Sequence, residues 1–113
     1  AGTVSVTDDV IVQLCESNKR TIRTLDVNGC YQLTTRAAMA LLKHSSASLH
    51  TLDLSFVRGV SQEALGALID AGVAMDCLRT VTVWGCTQLA DKFWAGIRKD
   101  GAVEVIGRMA AQL

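Results

Sequence analysis

Four cysteines and two histidines are the residues of this sequence best suited to bind a metal. A structural zinc site needs closely spaced cysteine pairs of the C-x2-4-C kind. The sequence has no such pair, and neither histidine lies beside one; the six residues are Cys15, Cys30, Cys77, Cys86, His44 and His50. We therefore predict no metal site.

Two Gly-Cys pairs and two aspartates are the remaining candidates for catalysis. Cys30 and Cys86 each follow a glycine, but no cation is placed in the sequence to lower the pKa of either thiol. Asp26 and Asp53 could form a carboxylate pair, but no third polar group completes a catalytic arrangement. Serine-hydrolase, zinc-protease and phosphate-loop motifs are also missing. We expect no enzymatic activity and no cofactor.

These aspartates and cysteines belong to a segment that recurs along the chain. Residues 22–33, IRTLDVNGCYQL, match the pattern L-x-x-L-x-L-x-x-N/C-x-L with one extra residue before the last leucine. The frame returns at 49–60 and 78–89, and a fourth copy starts at Val103, so the steps are 27, 29 and 25 residues. Apolar residues four, five and eight positions after each loop predict a helix with one apolar face.

The two periodicities together predict an α/β fold, a leucine-rich-repeat solenoid. We expect a curved right-handed stack with a parallel β-sheet on the concave side and α-helices on the convex side. The chain of 113 residues would form a single domain of about 3.5 repeats. Its units would be residues 1–21 (partial), 22–48, 49–77, 78–102 and a C-terminal edge at 103–113.

Local signals set the expected ends of the elements. Thr7 and Ser61 are predicted N-caps, and Gly72 is predicted to stop the third helix, which should run to about Asp70. The first helix lacks a polar outer face, which indicates further repeats upstream in a longer protein. The expected strands are 22–27, 49–54, 78–83 and a short one from 103, and the expected last helix is 91–98.

Cys30, Val57 and Cys86 fill the same loop position in three successive repeats. Stacked strands would place Cys30 and Cys86 roughly 10 Å apart, which is too far for a disulfide. Free buried cysteines favour a reducing compartment, and we expect an intracellular protein of the nucleus or cytoplasm. Basic and acidic residues balance at 11 each, and no apolar run is long enough to predict a membrane span.

Alternate strand residues should form the concave face of the sheet. Trp84 falls there in a column with Asn28 and Ser55, with Phe56 beside it, and exposed aromatics often anchor a protein partner. Trp84 could instead pack on a neighbouring loop. A basic column before the strands, formed by Arg23, His50 and Arg79, could bind an acidic partner or phosphate. It could instead pair with the aspartates. The predicted partner surface comprises Trp84, Phe56, Asp26, Asp53, Arg79, Arg23 and His50.

The repeats resemble the cysteine-containing leucine-rich repeats of F-box ubiquitin-ligase receptors. Residues 49–113 are also similar to the C-terminal end of the leucine-rich-repeat nucleotide-excision-repair proteins of yeast and plants, the Rad-seven-like family. The matching residues are Gly85, Cys86, Thr87, Gln88, Leu89, Asp91 and Phe93, then Val103, Val105, Ile106 and Gly107. This resemblance implies a role in repair with a chromatin-remodelling partner and a cullin-type ubiquitin ligase. It carries over no catalytic or metal residue.

The predicted function is a non-catalytic scaffold for protein–protein interaction. Its partner would be a cullin-type ligase adaptor or a repair remodelling factor, and the resemblance favours the nucleus. One alternative is the substrate-recognition part of a general F-box-type receptor. A second alternative, which the balanced charge disfavours, is direct binding of nucleic acid. In that case the phosphates would contact Arg23, His50, Arg79, Arg58 and Lys92.

Overall fold

The protein alternates helices with short strands. A computed structural model describes residues 6–95 and 103–107. In chain order the elements are α1 (Asp8–Ser17), β1 (Thr24–Asp26), α2 (Thr35–Ser45), β2 (Thr51–Asp53), α3 (Gln62–Ala74), β3 (Thr80–Thr82), α4 (Asp91–Ala95) and β4 (Glu104–Ile106). The predictions for the end of the last helix at Arg98 and for the edge at 108–113 lie outside the described residues.

The four strands form one parallel sheet in the order β1-β2-β3-β4. Thr24 pairs with Thr51, Thr51 with Thr80, and Thr80 with Glu104. The steps of 27 and 29 residues deduced for the first three strands are therefore confirmed, whereas the last step is 24 residues rather than 25, so the fourth copy pairs one residue earlier than predicted. Each strand has only 3 residues, so the predicted six-residue strands were too long.

The two faces of the sheet differ in burial. Leu52 and Val81 are fully buried, whereas Thr51 and Thr80 beside them stay partly accessible. The buried strand residues join the helix residues Ile11, Leu41 and Leu68 in one apolar core; it also includes Leu33, Val60 and Leu89, which end the loops. We call the uncovered side of the sheet the open face. This architecture is an α/β fold with a parallel sheet, compatible with a leucine-rich-repeat-like fold.

The third helix continues past Gly72, so the prediction of a stop there was wrong. A Cβ atom at Gly72 would overlap the side chain of Leu78, which shows that glycine serves a close helix-to-loop approach. The helix ends instead at Ala74, with Met75 as its C-cap residue, and Asp76 follows with φ +55°. Aspartate tolerates this left-handed conformation better than most residues, and here it reverses the chain.

The N-caps are partly as predicted. Ser61 accepts a hydrogen bond from the Ala64 N–H at 3.1 Å, as a capping serine should. Thr7 occupies the N-cap position of α1, but its side chain makes no capping bond. The α1 helix also leaves Val10 and Leu14 exposed by 45% and 38%, which agrees with the missing polar outer face.

One loop position is left-handed in all three complete strand–loop–helix units. Gly29, Phe56 and Gly85 have φ of +79°, +64° and +70°. Glycine adopts this conformation without strain, but a residue with a Cβ atom is disfavoured there by about 1–2 kcal/mol. The Phe56 ring lies over Gly85, where a Cβ atom would overlap it. Gly85 therefore serves both the turn and the seat of the ring.

Alanine at the two glycines should separate these roles. Gly29→Ala has open space and should cost about 1–2 kcal/mol of unfolding free energy through φ alone. Gly85→Ala should cost about 1 kcal/mol more, because the new methyl group displaces the Phe56 ring. The measurement is urea denaturation followed by circular dichroism.

The control is the same glycine change in a Phe56→Ala background. There the cost of Gly85→Ala should fall to that of Gly29→Ala, since no ring remains to be displaced. Equal costs for the two glycine changes in the wild-type background would contradict the assigned contact.

Candidate functional site

Two aromatic side chains lie exposed where adjacent strands end. Trp84 is 37% exposed and Phe56 is 49% exposed. Their main chains are fixed, because the Phe56 N–H donates to the Trp84 carbonyl at 2.6 Å and the Trp84 N–H donates to the Ser55 hydroxyl at 3.1 Å. We call Phe56 and Trp84 the aromatic pair. It offers accessible apolar surface on an ordered backbone.

Asp26 and Asp53 have a structural role that the sequence did not reveal. The Oδ1 atom of Asp26 accepts the Asn28 N–H at 3.0 Å, and Oδ1 of Asp53 accepts the Ser55 N–H at 2.9 Å. Each carboxylate thus bonds the backbone two residues on and turns the chain out of its strand. Within the described part of the chain, the second oxygen of each carboxylate has no hydrogen-bond partner.

The turn after the third strand is held by a different hydrogen bond. Thr82 stands where the other strands have aspartate, and the Trp84 N–H bonds the Ser55 hydroxyl of the preceding unit instead. Ser55 is consequently only 1% exposed. Its expected place on the accessible face was therefore wrong, because its hydroxyl is needed to satisfy a neighbouring backbone group.

The basic column does not pair with the two aspartates. Arg79 folds back on its own loop, where Nη2 lies 3.3 Å from Asp76 Oδ1 and 3.2 Å from the Asp76 carbonyl. Arg23 and His50 are exposed at the same end of the strands. The alternative of pairing with Asp26 and Asp53 was therefore wrong for the described residues.

The five residues considered for phosphate binding do not form one track. Arg23, His50 and Arg79 precede the strands, whereas Arg58 and Lys92 follow them. Arg58 donates through Nε to the Gly85 carbonyl at 3.0 Å, beside the aromatic pair. Parallel strands keep these two groups at opposite ends of the sheet, and the open face between them carries the aspartates.

The loop position shared by Cys30, Val57 and Cys86, which we call the cysteine slot, has a structural role. Cys86 is 8% exposed, and its thiol donates to the Leu54 and Val57 carbonyls at 3.2 and 3.4 Å. Val57, in the same slot, is completely buried. Cys30 is half-buried, and all four cysteines are free.

Burial keeps these thiols protonated. It raises the pKa of Cys86, although hydrogen bonds with the neighbouring loop lower it in part. Burial also raises the pKa of Cys15 and of Cys30, where the Asp26 charge adds to the effect. A raised pKa leaves less thiolate at neutral pH, so none of the three is an activated nucleophile.

Gln88 links two successive loops. The sequence placed it in the family-like motif but did not predict this role. Its Nε2 atom donates to the Val57 and Val60 carbonyls at 3.0 and 2.9 Å, tying one loop to the previous one.

Among residues 6–95 and 103–107, no group of three His, Cys, Asp or Glu side chains could hold a metal ion. The helices found in those ranges are also too short or too polar to cross a membrane.

Cys86→Val tests the assignment of this slot, because Val57 already fills it in the preceding unit. The variant should lose less than about 1.5 kcal/mol at pH 7. The two carbonyls keep other donors, namely the Val57 N–H and Gln88 Nε2. The measurement is urea denaturation at a series of pH values.

The contribution of Cys86 to folding stability depends on pH with a definite sign. The folded-state pKa of Cys86 is raised above the ordinary thiol value of 9.0. The unfolded chain therefore loses this proton first, and the thiol's contribution to stability disappears as pH rises through and beyond 9.0. Cys86→Val should lose less stability than wild type over that range. An identical decline in both proteins would show that Cys86 is not desolvated.

Comparison with known proteins supports the fold. No protein-family model matches the chain. The chain is similar to a chain in the crystal structure of the yeast Rad7 and Elc1 complex, with 27% sequence identity and a TM-score of 0.74. The match covers 96% of this chain and 25% of that chain, so this protein spans about a quarter of its structural neighbour. The similarity supports a leucine-rich-repeat-like fold.

Proposed function

We propose that this protein is a non-catalytic leucine-rich-repeat module that binds a protein partner through the open face of its sheet. The observation that carries the proposal is the aromatic pair, which is accessible and held by inter-strand hydrogen bonds. Large aromatic side chains dominate the energetics of protein interfaces. A rigid sheet holds them in place before binding, which reduces the entropy lost on association.

The conformation of Phe56 supports a role beyond stability. The first and last of the three units have glycine at this left-handed position, whereas the middle unit has Phe56. The strain of about 1–2 kcal/mol is poorly offset by burial, because the ring remains 49% exposed. Backbone strain of this kind is concentrated at functional sites, which favours a binding role for the ring.

The setting of this interaction is also part of the proposal. The structural neighbour comes from a complex of Rad7 with Elc1, and the sequence independently resembles repair-linked and F-box-linked repeats. We propose that the module is a stretch of a longer curved solenoid, acting inside the cell and chiefly in the nucleus. Its partner would be a cullin-type ligase adaptor or a repair remodelling factor. A general F-box-type receptor is the alternative setting.

Trp84→Ala in the full-length protein tests the interface. Affinity purification from the cells that express it should recover a ligase adaptor, a cullin or a repair remodeller. The variant should reduce that recovery by about tenfold or more, because a central aromatic anchor contributes about 2 kcal/mol or more. Bound proteins are identified and quantified by mass spectrometry.

Met39→Ala is the matched control. Met39 is 50% exposed and lies on α2 rather than on the sheet, so its change should leave recovery unaltered. Circular dichroism would establish that both variants remain folded. Equal recovery with wild type and folded Trp84→Ala would refute the aromatic pair as the interface.

A further inference from the structure

The charge on the open face has one sign. Among the described residues, its strand positions include three acids, Asp26, Asp53 and Glu104, and no base. The other positions are Thr24, Thr51, Thr80, Thr82 and Ile106. The nearest bases lie off the strand positions: Arg79 before the strands is held by Asp76, and Arg58 after them has its Nε bonded to the Gly85 carbonyl. The zero net charge of the chain therefore conceals an acidic sheet surface.

Two of these acids stand directly side by side. Asp26 is paired with Asp53 in the register of the parallel strands, and such strands lie about 4.8 Å apart. Each carboxylate commits one oxygen to its turn and leaves the other without a partner in the described part of the structure. Neighbouring like charges repel by about 1 kcal/mol even when solvated, and a cation seated between them would relieve this repulsion.

The aromatic pair lies just beyond the ends of the strands whose row carries these carboxylates. Thr82 continues the row of Asp26 and Asp53, and Trp84 lies two residues beyond it. Tryptophan is the aromatic side chain that attracts cations most strongly through its ring face. The arginine guanidinium combines bidentate bonding to carboxylate with stacking on aromatic rings, so it suits this combination better than lysine.

We infer that the open face binds an extended basic segment of its protein partner, with an arginine side chain over Asp26 and Asp53 and against Trp84. This inference rests on the proposed function and adds the chemistry of the partner. An apolar residue beside that arginine packs on the exposed ring of Phe56. Acidic segments and nucleic-acid phosphates are repelled by the same carboxylates.

A library of random 12-residue peptides displayed on phage is the first probe. Panning on the full-length protein should enrich arginine, accompanied by an apolar residue, relative to the unselected library. The most enriched peptide is then synthesised with a fluorophore, and its affinity is measured by fluorescence anisotropy. Replacing its arginine by glutamine should weaken binding about tenfold.

The double variant Asp26→Asn, Asp53→Asn isolates the charge. Asparagine keeps the side-chain oxygen that bonds the turn N–H, so the fold is preserved while both negative charges are removed. Affinity for the arginine peptide should fall about tenfold, and its dependence on salt should weaken. Asp70→Asn, an exposed change on α3, is the matched control and should change neither quantity.

The outcomes separate this inference from the function on which it rests. Enrichment of acidic or uncharged peptides, no enrichment at all, or full affinity in the double asparagine variant would each overturn the inference. If Trp84→Ala still reduced partner capture about tenfold or more in those cases, the proposed function would stand without the basic segment. If neither Trp84→Ala nor the asparagine variant affected any binding, both would fail.

Discussion

The first residue of each of the three longest helices bonds the backbone of the following unit. Asp8 Oδ1 accepts the Thr34 N–H at 2.8 Å, Thr35 Oγ1 accepts the Ser61 N–H at 2.9 Å, and Gln62 Oε1 accepts the Ala90 N–H at 3.2 Å. Backbone groups beside helix starts would otherwise lack partners. A carboxylate, a hydroxyl and an amide perform one task, so what the position requires is an oxygen acceptor within reach.

This row of bonds fixes the path of the three strand-to-helix loops among the described residues. On one side it holds the helix starts, and on the other the parallel strands hold the loop entrances, for example through the Asp53 carbonyl accepting the Val27 N–H and the Thr82 carbonyl accepting the Leu54 N–H. A loop pinned at both ends has little freedom, which explains why the left-handed position recurs even where the residue is Phe56. The exposed ring is therefore placed by contacts that lie outside its own side chain.

Sequence periodicity predicted the part of this architecture that depends on local rules. The strand columns, the order of strand and helix, and the buried cysteine slot follow from the spacing of apolar residues, because each unit buries the same face. The turn bonds of Asp26 and Asp53, the burial of Ser55 and the contact of Gly72 with Leu78 did not follow. These depend on which donor or side chain a neighbouring element presents at that point, and a one-dimensional pattern does not encode this.

On the open face, folding and the proposed binding would use different atoms of the same residues. Asp53 uses one carboxylate oxygen for its turn and leaves the other accessible. Trp84 is fixed through its N–H and carbonyl, while more than a third of its surface faces solvent. Phe56 likewise contributes its N–H to the inter-strand bond and leaves about half of its surface exposed. A partner can therefore engage the free atoms while the inter-unit bonds stay intact, so binding need not weaken the contacts that position the site.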